Sequence, residues 1–178
     1  MNRTLKNTGI VLFILLAAVG LIVWKYDFPK KINLTYPAVE FRAGDPSSVD
    51  KTTITIKGTL HRKLWRNESF SGQIEIAKYE VTKSRMAPFI FHKEINNGWG
   101  VLTYFNEAYK TTGAIKSSII VMLSSVWKIG EFESLKLLLN EPVGQSPSQG
   151  KDLEIMAPAT DYESALALDQ QYKERDQK

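Results

Sequence analysis

The chain of 178 residues contains no cysteine and two histidines. Without cysteine there are no disulfides, zinc-thiolate sites, thiol nucleophiles or cysteine-linked lipid anchors. Two histidines, His61 and His92, leave too few nitrogen ligands for a histidine-rich metal centre. There is also no continuous Lys/Arg run: residues 25–150 carry 17 basic and 12 acidic side chains, and residues 151–178 carry 4 and 7. That surplus falls short of a nucleic-acid footprint, so nucleic acid is not an expected partner. No glycine-rich phosphate loop or nucleophile elbow occurs, and no cofactor is expected.

The sequence does contain one long apolar run, residues 9–24, which begins eight residues from the N-terminus and holds eleven Leu, Ile, Val or Phe. As a helix, residues 8–26 reach about 28 Å, close to the hydrocarbon thickness of a bilayer of about 30 Å. Those eleven residues favour insertion by very roughly 3 to 7 kcal/mol, with no charge opposing them. Trp24, Lys25 and Tyr26 follow in the order that suits a membrane–water interface. We therefore expect a short cytoplasmic tail over residues 1–8, a transmembrane anchor over 9–26, and a stalk over 27–31. Residues 32–159 then form an exported domain, ahead of a C-terminal helix and tail over 160–178. Arg3 and Lys6 ahead of the first apolar segment favour a cytoplasmic N-terminus at the plasma membrane, with the domain outside. A cleaved signal peptide would cut near Ala18-Val19-Gly20, but the run stays apolar through Trp24, which favours an anchor.

The exported part reads as mainly β, an antiparallel meander closed as a sandwich or a partly closed barrel. Residues 32–42 look extended, with Pro37 holding them to an edge, and residues 43–48 read as a turn-rich loop. Ile54, Ile56, Gly58 and Leu60 alternate with polar residues, as do Phe70, Gly72, Ile74 and Ile76, and together they predict a hairpin. A glycine in each inward row predicts a bulge or an aromatic ring lying over the backbone. Asn96-Asn97-Gly98 predicts a second hairpin, with Phe89, Phe91, Ile95, Trp99, Val101 and Phe105 on one face. Residues 119–123 and 135–139 are apolar on both faces and should be covered on both. Trp127, Ile129 and Phe132 should close one end of the core, residues 144–151 form a mobile loop, and 153–156 a last strand. Thr160 and Glu163 have capping-box spacing for a helix whose apolar stripe is Ala165, Leu168 and Tyr172, with fraying beyond Lys173.

The hairpin Lys57-Gly58-Thr59-Leu60 to Phe70-Ser71-Gly72-Gln73-Ile74-Glu75-Ile76, with a closing strand running into Ala157-Pro158-Ala159 and a helix, resembles small uncharacterised membrane-anchored proteins of Gram-positive bacteria. The resemblance spans about two-thirds of the chain. It implies architecture and location and carries no activity.

Among candidate sites, the loop His61, Arg62, Lys63, Leu64, Trp65, Arg66 and Asn67 gathers three permanent cations around a tryptophan. It has the chemistry to contact headgroups, an anionic polymer or another envelope protein. His92 with Glu94 is a minimal acid/base or half-metal pair. Ser48/Lys51, Ser125/Lys128 and Ser148/Lys151 share a serine–lysine spacing that needs a helix to become chemical. Glu131/Glu133 and Glu75/Glu80 read as solvent-facing strand acids, and the aromatic residues near 89–105 read as core or as the wall of a ligand cavity. The expected function is a membrane-anchored extracytoplasmic binding or interaction module. The alternative is a carrier or sensor of a small apolar ligand in a β cavity, and an enzyme without a recognisable motif stands third.

Overall fold

A computed structural model describes residues 3–26, 28–62, 66–95, 97–109, 115–146 and 148–176. Helix α1 (Arg3–Lys25) leads into strand β1 (Pro29–Arg42), followed by β2 (Asp45–His61) and β3 (Glu68–Ile76). A 3-10 turn (Glu80–Lys83) precedes β4 (Arg85–Met86), β5 (Phe89–Phe91), β6 (Gly100–Tyr109) and β7 (Ile115–Ile129). The chain ends with β8 (Ser134–Glu141), β9 (Gln149–Ala157) and α2 (Tyr162–Asp176).

The strands form one antiparallel sheet of nine in the order β4-β6-β7-β8-β9-β1-β2-β3-β5. It is two meanders joined where β9 pairs with Val39–Arg42 of β1, and it curls into a half-barrel. The short segment 85–91 draws the two ends of the sheet together. It leaves β6 after Met86↔Tyr104 and crosses to β3, where Phe89 pairs with Phe70. The Tyr104 hydroxyl donates to the Ile74 carbonyl at 2.5 Å across the same seam.

The predicted hairpin is present in the expected register, with Ile54↔Ile76, Ile56↔Ile74, Gly58↔Gly72 and Leu60↔Phe70, and all six non-glycine members are buried. The register is unbroken at the glycines, so the aromatic-ring expectation holds in place of the bulge. A Cβ on Gly58 would lie 2.4 Å from the Ser71 carbonyl oxygen and 2.8 Å from the Phe70 ring, and one on Gly72 would lie 2.2 Å from the Lys57 oxygen. Phe70 in turn packs on Phe89 and Phe132, and Phe91 touches the last two, filling one end of the interior. Phe132 is fully buried at φ +68°, a left-handed conformation costly for a bulky side chain and offset here by burial of its ring.

Several expectations are corrected. β1 is central only over Val39–Arg42, where β9 joins it; at Pro37 it pairs with β2 alone, through Thr53, as expected of an edge, and the proline carbonyl accepts from Ala159 at 3.0 Å, so its missing N–H faces away from β2. Pro29, Lys30 and Lys31, expected in a stalk, are the first rungs of β1. The loop over 43–48 shrinks to Ala43-Gly44, with Gly44 at φ +86° joining Arg42 to Asp45. The hairpin around Asn97-Gly98 is reduced to one bridge, His92↔Trp99, because β5 pairs with β3 and β6 pairs with β7. Consequently Leu102 and Tyr104 point inward, Ile95 is 48% exposed, and Val101 and Phe105 are half-buried. The expected mobile loop is partly ladder, since Gln149 and Gly150 pair with Glu141 and Asn140.

α2 lies on the outer face of the sheet, where Val39, Phe41, Met156, Ala159, Ala165 and Tyr172 form a second core with Trp127 and Ile129. Phe132, by contrast, belongs to the interior core. The cap lies one residue later than expected: the Ser164 N–H donates to Asp161 Oδ1 at 2.8 Å, and the Asp161 N–H donates to Ser164 Oγ at 3.2 Å. The helix does not fray at Lys173, because Arg175 stacks on Tyr172 and donates to the Lys128 carbonyl at 2.9 Å.

Among the described residues no helix is long and apolar enough to cross a membrane. The segment expected to be an anchor is helical to Lys25, but its described side chains are the thirteen positions 10–22 and Tyr26, whereas a span takes about 20 residues.

Gly58→Ala is expected to destabilise the domain by about 3 kcal/mol or more, since backbone of the paired strand blocks the added carbon. Urea unfolding measures it; a cost under about 1 kcal/mol would mean that the β2–β3 contact is looser than described.

Candidate functional site at the helix-proximal end of the sheet

Three residues separate the end of α1 from the start of β1, so the end of the sheet that carries Pro29, His61, Glu68, Phe91 and Trp99 adjoins the helix. Three connections meet there: residues 62–67, 92–99 and 130–133. His61, Arg62, Arg66 and Asn67 of the predicted contact loop thus lie at the helix-proximal end. Lys63 and Trp65, and Leu64 between them, lie outside the described residues. His61 is the last residue of β2, paired with both Pro29 and Ser69. Arg62 turns back toward the sheet, where it pairs with Glu131 and donates through Nε to the Phe28 carbonyl at 3.4 Å. Lys30 reaches the same carboxylate at 3.3 Å. Arg66 is exposed. Of the expected interface residues, Trp24 and Lys25 lie in α1 with their side chains outside the described set, and Tyr26 is exposed with its ring edge-on to Phe28 at 4.8 Å.

Next to this loop, Asn67 binds the Lys93 N–H at 3.1 Å and donates to Glu94 at 3.4 Å, which ties the 62–67 and 92–99 connections together. His92 and Glu94 are therefore not assembled as a pair: His92 faces the Trp99 ring at 6.0 Å, and Glu94 points to Asn67. Among the described residues no group of three His, Asp or Glu is placed to hold a metal. Lys128 is nearly buried, paired with Glu68 at 2.6 Å and lying over the Phe91 and Phe132 rings, while Ser125 accepts from the Trp99 indole at 3.0 Å. That serine–lysine pair is engaged elsewhere. Exposed Ile90, Ile95 and Lys93 complete an aliphatic and basic surface.

A concavity of about 280 Å³ opens at the seam, lined among others by Pro88, Phe89, Ile90, His92, Trp99 and Val101. It lies beyond the β4–β6 ladder, between the bonds Ala87 N–H to Thr103 O at 2.8 Å and His92 N–H to Trp99 O at 2.7 Å. Between them the strands part. The floor is the Phe89 ring, seated against Gly100.

No family model, curated protein or solved structure matches this chain.

Reading the sequence missed the buried charges. Under α2, Asp169 binds Lys136 at 2.5 Å and Lys173 at 2.6 Å, and Lys136 also reaches Glu154 at 3.1 Å. Burial pushes the Asp169 carboxyl up, but the hydrogen bonds from the two lysines outweigh it and hold the group below its ordinary range. Burial raises Glu154, with the neighbouring Asp169 charge adding to it. The Tyr172 hydroxyl, bonded to Ser134 at 2.9 Å, is pushed up to about 12 by burial. A signal for this cluster was present: Asp169 interrupts the Ala165–Tyr172 stripe at the spacing that faces the sheet. At the other end, Lys78 joins Glu40 at 2.7 Å and Asp50, while Tyr79 donates to Glu40 and is raised by burial and by that carboxylate. Arg42 clamps Glu141 at 2.6 Å and pairs with Asp152.

Asp169→Asn should cost about 3 kcal/mol at neutral pH, because Lys136 loses the stronger of its buried partners. A carboxylate with a depressed folded-state pKa stabilises above its unfolded value, and that stability fades as pH falls through the folded value. The wild-type and variant unfolding curves should therefore converge as pH falls through the depressed folded-state value; a difference that persists below it would assign the loss to packing.

Proposed function

We propose that this chain is a membrane-anchored binding module of the bacterial envelope, held by α1 with its N-terminus cytoplasmic and its β domain outside the plasma membrane. The supporting observation is the helix itself. Ile10, Val11, Leu12, Phe13, Ile14, Leu15, Leu16, Val19, Leu21 and Ile22 are each more than half exposed, on every side of the axis. A helix apolar all round is stable only when buried in lipid or protein. With α1 in a bilayer, the 62–67 and 92–99 connections come to the headgroup level. Their cations and the exposed Ile90 and Ile95 then suit contact with anionic lipid, an anionic wall polymer or an envelope protein. The carrier alternative draws on the seam concavity, but the interior behind it is occupied by the Phe70, Phe89, Phe91 and Phe132 rings.

Alkaline carbonate extraction of bacterial membranes tests the anchor. The full chain should stay in the pellet and a chain without residues 1–25 should leave it. Protease added to intact spheroplasts should remove the β domain and spare an N-terminal tag. Release of the full chain by carbonate, or a protected domain, would contradict this function.

A further inference from the structure

The β6–β7 hairpin projects past the rest of the sheet. β8 pairs with β7 only from Ser124 to Ile129, and its last tie beyond that ladder is the Asn140 side chain to the Met122 carbonyl at 2.8 Å. Among the described residues no strand meets the other edge of β7 from Ser117 to Leu123, while β6 pairs along its inner edge down to Ile115. Ile119 and Ile120 are neighbours and point to opposite faces, yet they are 52% and 57% exposed, with Met122 at 53%. The arm is bare along one backbone edge and on the face of Ile120 and Met122, while on the other face Ile119 is bare and Val121 and Leu123 are buried. Folded proteins guard such edges with lysine, proline or a covering element. Residues 117–125, Ser-Ser-Ile-Ile-Val-Met-Leu-Ser-Ser, contain no charge and no proline.

We propose that this edge is a docking site that takes an extended, uncharged, apolar segment of another polypeptide as an added antiparallel strand. The unpaired backbone groups specify a strand, since only another strand satisfies a row of alternating N–H and C=O groups. The edge's lack of charge specifies the side chains, because a charged partner would be desolvated here with nothing to pair it. A second copy fits poorly. Resting on the anchored reading above, two copies in one bilayer point the same way, and their β7 strands run in the same sense, from the far end toward the membrane. The arm stands at the end opposite the basic loop, so it reaches a partner away from the bilayer.

Amide hydrogen exchange on the full chain in detergent micelles tests this without requiring insertion in any particular sense. The probe is a blocked peptide of four Thr-Val repeats. Exchange at the amides on the open edge, those of Ser118 and Ile120, should be fast in the free chain and slow about tenfold with millimolar peptide. Ile120→Pro, which removes an edge N–H, should abolish the slowing, as should Ile119→Lys with Ile120→Lys, which leaves the backbone intact. No slowing by the peptide, or slowing that survives both variants, overturns the proposal. So does an arm already protected without peptide in a chain that sediments as a dimer, which would assign the edge to a second copy.

Discussion

Four phenylalanine rings and the glycines beneath them set the shape of this domain. Phe70, Phe89, Phe91 and Phe132 touch with centroids 4.9 to 5.9 Å apart, and they come from β3, β5 and the turn after β7. Phe70 rests over Gly58 and Phe89 against Gly100, positions where any larger residue would lift the ring away. The cluster stands where the sheet ends, and it gives β5 a reason to leave β6 and cross to β3. Edge-to-face pairs of this kind add about 0.5–1.5 kcal/mol each beyond burial, enough together to hold a seam that has few backbone bonds of its own.

This arrangement explains which parts of the fold could be read from the sequence. The β2–β3 hairpin was legible because it is local, half-buried and strictly alternating. α2 was legible from its stripe, and its start was missed by one residue only because Asp161–Ser164 competes with Thr160–Glu163 for the same capping role. β5 and β6 were misread because Asn97-Gly98 is a valid turn signal placed inside a longer connection, and the ring cluster, a long-range interaction, overrides it. The same cause inverted β6, so that Leu102 and Tyr104 face inward where Val101 and Phe105 were expected. Residues 119–123 read as doubly covered; Val121 and Leu123 are buried, and the exposure of Ile119, Ile120 and Met122 follows from β8 ending early, which no local pattern reveals.

The sites divide in the same way. Composition located the basic loop, and chain connectivity places its described residues at the helix-proximal end. Its partners were invisible in sequence, since Glu131 lies 69 residues from Arg62. The ion cluster beneath α2 serves to seat the helix: Asp169 is held by one lysine from the sheet and one from its own helix, which ties the C-terminal segment to β8. With α2 fixed on the outer face and the rings filling the interior, the recognition surfaces proposed above are the two ends: a basic, aliphatic end next to the helix, and a neutral β edge pointing away from it.

Closure of the seam by the ring cluster is the central claim, and amide exchange at Ala87 and His92 measures it most directly, because their N–H groups make the hydrogen bonds that bracket the concavity, to Thr103 and Trp99. Both amides should exchange slowly in the native chain. In Phe89→Ala they should lose protection while the amides of Ile56 and Ile74 keep theirs, showing the seam opening with the sheet intact. Unchanged protection at Ala87 and His92 in that variant would contradict the account, because the seam would then be closed by something other than the rings.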